Sequence, residues 1–293
     1  MTEHLNAVVT GIAVGSVYGL VALGYTVVYA ATRVFNLAQG NLLTVGVLLA
    51  YYLLAVQGWS WFFALPAIAA SVAVISVMEE RMVVRPALRR ADSIGWFITT
   101  LAFGNILYNF YTHIYGNEEA RAVPSPLTSS AVHIGSVVIS PQELLALGSL
   151  IALTAFIEVF YLRTWWGQAM RAVAEDREAA SMRGIDPGRI GLLAFLIGGL
   201  IAGVGGFVLG PILFSDVNIG LGISLKGFIA IALGGFGSIR GALAGAWALG
   251  VAEQVMDLHA SATYEPLAGL GLLLLVLLVR PTGVFGAATE REV

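Results

Sequence analysis

Six neutral polar side chains interrupt the apolar runs of this sequence: Gln39 and Asn41, Thr99 and Thr100, Asn105 and Asn109. Amides and hydroxyls of this kind can hydrogen-bond a neighbouring helix or line a path for a small polar solute, and residue type alone leaves both uses open. Covalent and metal chemistry find no such footing. Cysteine is absent, so there is no thiolate nucleophile, disulfide or sulfur ligand. His4, His113, His133 and His259 are scattered, without the HExxH spacing that brings two imidazoles to one metal. Nothing matches GxxxxGKS/T, the loop that cradles a nucleotide's phosphates, and no serine–histidine–aspartate set points to an intramembrane hydrolase. The chain is read as a conduit or binder, not an enzyme.

Composition dictates the elements that must hold these side chains. Of 293 residues, 58% are hydrophobic and 11% charged, against about 25% charged in soluble proteins. Mean hydropathy is +0.86. Too few charges are present to cover a soluble domain, and several runs reach the roughly 20 apolar residues that span a bilayer. Length and hydropathy place spans at 7–30, 38–57, 60–79, 94–113, 142–162, 191–214, 241–258 and 264–279, with a shorter apolar piece at 223–236. MTEHLN at 1–6 lacks the basic start of a signal peptide, so the first span is expected to be retained. The expected fold is an all-α polytopic membrane protein. It is a single transmembrane domain, 1–293, built as a Gly-rich bundle of about 8–9 transmembrane segments with room for broken helices.

Arginines set the expected orientation. Arg81, Arg85, Arg89 and Arg90 lie between the third and fourth spans, Arg163, Arg171, Arg177, Arg183 and Arg189 around 163–190, and Arg33, Arg240 and Arg280 in links on the same side. The opposite links hold Glu3, Glu118, Glu119, Asp216, Asp257 and Glu265, with Arg121 as their clear basic residue. Basic residues stay cytoplasmic. The N-terminus is then outside, the C-terminus inside, and the 223–236 piece must cross. Residues 114–140 form an external loop, partly extended by its prolines and alternating apolar runs. No chain of buried carboxylates is expected, which disfavours a proton pump. Glu158, one turn from Arg163, and Glu253, one turn from Asp257, read as interfacial, and Lys226 as snorkelling from its short span.

Glycines recur at spacing four: Gly11, Gly15 and Gly19, then Gly199 and Gly203, then Gly237, Gly241 and Gly245. One helical face without side chains lets backbones approach, either within one bundle or between subunits. NIGLG at 218–222 and GGFGSIRG at 234–241 allow discontinuous helices lining a cavity, or ordinary turns.

The stretch GQAMRAVAEDREAASMRGIDPGRI at 167–190 breaks the apolar pattern. Residues 163–190 carry five basic and four acidic side chains, with Val173, Ala179, Ala180, Met182 and Ile185 as an apolar minority. It reads as one short helix at the cytoplasmic surface, too balanced in charge to grip lipid and suited to docking a protein. Asp186 and Pro187 read as the N-cap and first turn of the next helix.

This stretch, with ALGGFGSIRGALAG at 232–245 and LLVLLVRPTGVFG at 274–286, closely resembles the permease subunits of branched-chain amino acid ABC transporters. YGLVALGYTVVYAATRVFNLAQGNLLTVG at 18–46 and FITTLAFGNILYN at 97–109 extend the resemblance over essentially the whole chain. One departure is Gln39, in LAQGN, where many relatives carry an alanine–histidine pair. The resemblance implies a pore-forming subunit of the bacterial inner membrane, paired with itself or a sister permease. It further implies two cytoplasmic ATPase subunits that use ATP and magnesium, an external substrate-binding protein, and no cofactor on this chain. Residues 167–190 would be the cytoplasmic coupling segment, with Ala174, Glu175, Asp176, Ala179, Ala180 and Gly184 as the contact core. The implied function is ATP-driven uptake of hydrophobic or branched-chain amino acids by alternating access. Urea, short amides or other small neutral solutes are the alternative cargo, and a self-sufficient channel is the alternative class.

Overall fold

The computed structural model describes residues 2–89, 95–116, 121–127, 132–134, 137–260 and 264–286. Glu118, Glu119, Arg90 and part of the 114–140 loop lie outside those residues. Every apolar segment read from the sequence folds as a helix. In chain order these are α1 (Thr2–Thr32), α2 (Gln39–Ala50), α3 (Trp61–Glu79), a short α4 (Arg85–Arg89) and α5 (Gly95–Tyr115). Then come α6 (Pro141–Arg163), α7 (Trp165–Glu175), α8 (Arg177–Met182), α9 (Pro187–Leu213), α10 (Ile219–Gly234), α11 (Ile239–His259) and α12 (Glu265–Val279). π-helical turns at Tyr51–Val56 and Glu80–Val84 extend α2 and join α3 to α4. In the 114–140 loop, β1 (Val132–Ile134) and β2 (Val137–Ile139) pair antiparallel, Val132 opposite Ile139.

Among the described residues five helices are long and apolar enough to cross a membrane: α1, Gln39–Val56, Trp61–Leu88, α6 and α9. α10 and α11 meet at a 116° bend and together make a sixth, broken unit, while α12 is apolar but shorter. Eight full spans were expected. The difference lies in α5, diluted by threonines and asparagines, in α11, which carries Arg240, Glu253 and Asp257 and qualifies only together with α10, and in the short α12.

Capping residues start the helices where the chain turns. Ser140 and Glu143 form a reciprocal capping box on α6 behind Pro141. Thr164 accepts from Gly167 N to begin α7, and Ser238 accepts from Gly241 N to begin α11. Asp186 accepts from Gly188 N at 2.8 Å and Pro187 follows at the first position of α9, as the sequence predicts.

α1 runs through the middle of the bundle, packed against α11, α9, α10 and α6, while α9 also packs on α3 and α2. The glycine faces serve these contacts. A Cβ on Gly11 would fall 2.6 Å from Val251 Cα, and one on Gly15 2.5 Å from Ala246 O, both on α11. Gly19 meets the Leu150 side chain of α6, and Gly199 and Gly203 press on Ala73 and Ala69 of α3. Gly241 and Gly245 face Gly234 and Ala230 of α10. Gly237 is the exception, because it sits in the α10–α11 turn at φ +80° and reaches no helix backbone. The final residues lock onto that turn: Val284 N donates to Leu233 O at 2.9 Å and Phe285 N to Gly234 O at 2.8 Å.

Candidate functional site

Two regions carry the polar residues singled out by the sequence. The first is the charged segment 163–190. It is two helices rather than one, because Asp176 adopts an extended backbone between α7 and α8 and caps the second, accepting from Glu178 N and Ala179 N at 2.9 Å. α7 is amphipathic. Gly167, Ala169, Met170 and Val173 face inward, and at Gly167 a Cβ would lie 2.2 Å from Phe160 O, so α7 folds back tightly on the end of α6. Arg33, in the link after α1, donates from Nη2 to Ala174 O at 2.9 Å and anchors the end of α7. Gly184, at φ +84°, ends α8 with open space around it.

This geometry redistributes the predicted contact residues. Glu175, Asp176 and Gly184 are exposed, and Ala174 and Ala179 half-buried. Ala180 is turned into the chain and buried, so it supports the segment from within rather than presenting a side chain to a partner. The exposed ridge instead includes Arg177, Glu178, Ser181, Arg183 and above all Met182, an apolar side chain 84% exposed. Sequence reading counted Met182 only among the apolar minority; its position opposite Ala180 on a short helix was the available signal. Beneath the segment lies a cavity of about 350 Å³ lined by Arg85, Arg177, Asp186 and Gly188. Arg85 bridges it, pairing with Glu80 at 2.9 Å and donating to Gly188 O at 2.8 Å.

The second region is the set of neutral polar side chains, which do not converge on one cavity. Gln39 is buried between α1 and α9, its Nε2 donating to Gly198 O at 3.1 Å. Asn41 is half-buried on the seam of α2, α5 and α10, where its Oδ1 accepts from Tyr111 Oη at 2.8 Å. Tyr108 Oη donates to Asn218 Oδ1 at 3.0 Å on the same seam, two residues the sequence reading missed although they flank the asparagines of α5 and open α10. Thr100 is buried and bonds back to Phe97 O, while half-buried Thr99 bonds Gly95 O. Asn105 and Asn109 share one exposed face at the middle of α5, Asn109 Nδ2 donating to Asn105 O at 2.8 Å.

The expected snorkelling of Lys226 and interfacial place of Glu253 are corrected. Lys226 Nζ lies 2.9 Å from Glu253 Oε2 and donates to Tyr18 Oη at 2.7 Å, and Tyr18 Oη donates to Glu253 Oε2 at 2.8 Å. The triad joins α1, α10 and α11, and Glu253 is 1% exposed. Burial without pairing would leave the charge uncompensated, which is why the partners meet. Glu79 and Glu80 are buried too, in a sequence read as holding no chain of buried carboxylates. Glu158 binds Arg240 of α11, across the bundle instead of along its own helix.

A family model described as the permease component of branched-chain amino acid transport systems matches residues 7–279. The high-affinity branched-chain amino acid transport system permease protein BraD of Pseudomonas aeruginosa is 34% identical over 99% of this chain and 98% of its own length. The corresponding LivH of Salmonella typhimurium is 31% identical over 99% and 97%. A probable branched-chain amino acid transport permease protein LivH of Methanocaldococcus jannaschii is 27% identical over 91% and 88%.

Proposed function

The chain belongs to the permease family of branched-chain amino acid transport systems, and we propose how its geometry serves uptake of branched-chain and other hydrophobic amino acids. It is the multi-pass membrane permease of an ABC transporter and not itself an enzyme. In the proposed assembly two ATPase subunits consume ATP and magnesium on the cytoplasmic side, a second permease completes the pathway, and an external binding protein delivers the solute. The N-terminus lies outside and the C-terminus inside.

One observation carries the mechanism: α6, α7, α8 and α9 follow one another with no more than four residues between consecutive helices, and the exposed ridge Glu175–Gly184 sits midway. Closure of the ATPases would displace that ridge. The capped, tightly turned junctions at Thr164 and Asp186 would pass the displacement to α6 and α9 rather than absorb it. Asn105 and Asn109 support the position of the pathway. At the centre of a 21-residue helix, exposed amides would turn their remaining donors and acceptors to hydrocarbon unless protein or water met them. A second permease and a solvated path fit there, with Asn41, Tyr108, Tyr111 and Asn218 on the seam behind. Neutral donors and acceptors suit a solute with no net charge.

Proteoliposomes holding this chain, its ATPases and the binding protein should take up labelled leucine only with ATP, and excess acetamide or urea should not compete. Uptake by the chain without any ATPase would overturn the reading in favour of a channel. Competition by the amides would redirect the substrate.

A further inference from the structure

A third polar cluster is sealed inside the bundle where α1, α2, α3 and α10 meet, apart from the ridge and from the α5 seam. Glu79, at the end of α3, is 0% exposed. Its Oε2 accepts from Asn36 Nδ2 at 2.8 Å, while Oε1 has no hydrogen-bond partner among the described residues. The ion pairs among the described residues that involve α3 and its extension go to Glu80, not to Glu79. Gln39 Oε1 shares that condition, and the buried Tyr25 and Ser224 hydroxyls have only each other among the described residues.

These side chains are neighbours. Gln39 is wedged between Gly24 and Gly198, its Nε2 donating to Gly198 O and its Oε1 3.8 Å from where a Cβ of Gly198 would be. Ser224 Oγ lies 2.0 Å from where a Cβ of Gly40 would be, so only glycine leaves room for it. The Ser224 hydroxyl is beside that of Tyr25, which is also within electrostatic range of Glu79. Gly24 is equally constrained, since a Cβ there would fall 2.0 Å from Gln39 Nε2.

A carboxylate withdrawn from water needs a compensating positive charge, or it gives up its own. One carboxylate oxygen, one amide oxygen and two hydroxyls form a hard, all-oxygen donor set of the kind taken by alkali and alkaline-earth cations. A single carboxylate matches a single positive charge. Among the described residues no group of three His, Cys, Asp or Glu side chains gathers, which leaves a transition-metal centre without its ligands. Backbone pressed close at Gly24 and Gly40 favours a small ion. We propose that Tyr25, Gln39, Glu79 and Ser224 bind one sodium ion, which ties α1, the start of α2, α3 and α10 together.

The test uses the full chain in lipid nanodiscs at constant ionic strength. Thermal unfolding should shift upward by a few degrees, saturably, when choline is replaced by sodium, and less when it is replaced by potassium; at sodium about 100-fold over its Kd the folded-to-unfolded ratio rises about 100-fold. Equilibrium binding of radioactive sodium should approach one ion per chain. Glu79→Gln keeps an acceptor for Asn36 but should abolish both the shift and the binding, and Ser224→Ala should raise the sodium concentration at half-effect. If Glu79→Gln does not fold, Ser224→Ala with the wild-type salt series decides. Equal unfolding temperatures in sodium, potassium and choline, or a sodium shift that survives Glu79→Gln, would overturn the proposal and assign the oxygens to water or to a protonated Glu79.

Discussion

The seam of α1, α10 and α11 and the charged pair α7–α8 are held together in opposite ways. On the seam backbones touch: a Cβ at Gly250 would lie 2.2 Å from Gly11 O and one at Gly245 2.1 Å from Ala230 O. An internal charged triad pins the same three helices. On α7–α8 the anchors are a buried apolar stripe, one arginine on one carbonyl, and caps of a single hydrogen-bonding side chain each. The seam therefore has no freedom to slide, because close-packed backbones leave one arrangement, whereas the α7–α8 pair is firm at its junctions and exposed along its ridge. A bundle with this division can serve as a stator, with α6 and α9 as the parts that receive force.

The largest expected effect breaks the seam. Lys226→Met removes the ammonium facing Glu253 and should destabilise the chain by about 3–5 kcal/mol, since a buried carboxylate then lacks its partner. The double variant Lys226→Met/Glu253→Gln should recover most of the unfolding temperature. If the single and double variants unfold alike, the pair does not set the seam's stability. Next in size is Gly245→Val, expected to cost about 1–3 kcal/mol or more by forcing α10 and α11 apart. Gly271→Ala on α12, where a Cβ would meet nothing within 4 Å, is the control. It should be neutral or gain about 0.5–1 kcal/mol from helix propensity. Equal unfolding shifts for the two glycine variants would show that close approach on the seam is not what those glycines provide.

Legibility followed the same division. Local signals could be read: the apolar runs became helices, the charge block at 163–190 became helical, though as the pair α7–α8 rather than one helix, and Asp186–Pro187 opened α9 as its residue types require. Spacing of four correctly marked the faces of Gly11, Gly15, Gly241 and Gly245, because helical periodicity is a local property. What failed depends on partners distant in sequence. Lys226 and Glu253 looked separately tolerable, and only folding brings them to 2.9 Å. Gln39 and Asn41 are adjacent in sequence pattern yet serve different seams, since two residues along a helix point to different neighbours. Ala180 was indistinguishable from Ala179 until a side of α8 was chosen, and Gly237 carried the helix-packing spacing while standing in a turn.

The smallest effect sharpens the comparison most, because it separates the position of the ridge from its charge. Asp176 is exposed, so its removal should barely change the unfolding temperature of the whole chain. Locally it is the cap that starts α8, and Asp176→Ala should cost about 1 kcal/mol there. Hydrogen exchange at the amides of Glu178 and Ala179, which Asp176 accepts from at 2.9 Å, should then speed up by about five- to tenfold. Asp176→Asn removes the charge but keeps the cap, since asparagine caps as well as aspartate. If the ridge docks through its shape, the asparagine variant should co-purify with the ATPases and respond to substrate as the wild type does, and the alanine variant should lose part of that response. If both variants fail equally while only alanine loosens the amides, the carboxylate itself meets the partner. Unchanged exchange in Asp176→Ala would mean α8 is held by contacts as dense as those of the seam, and the division between stator and moving parts would not hold.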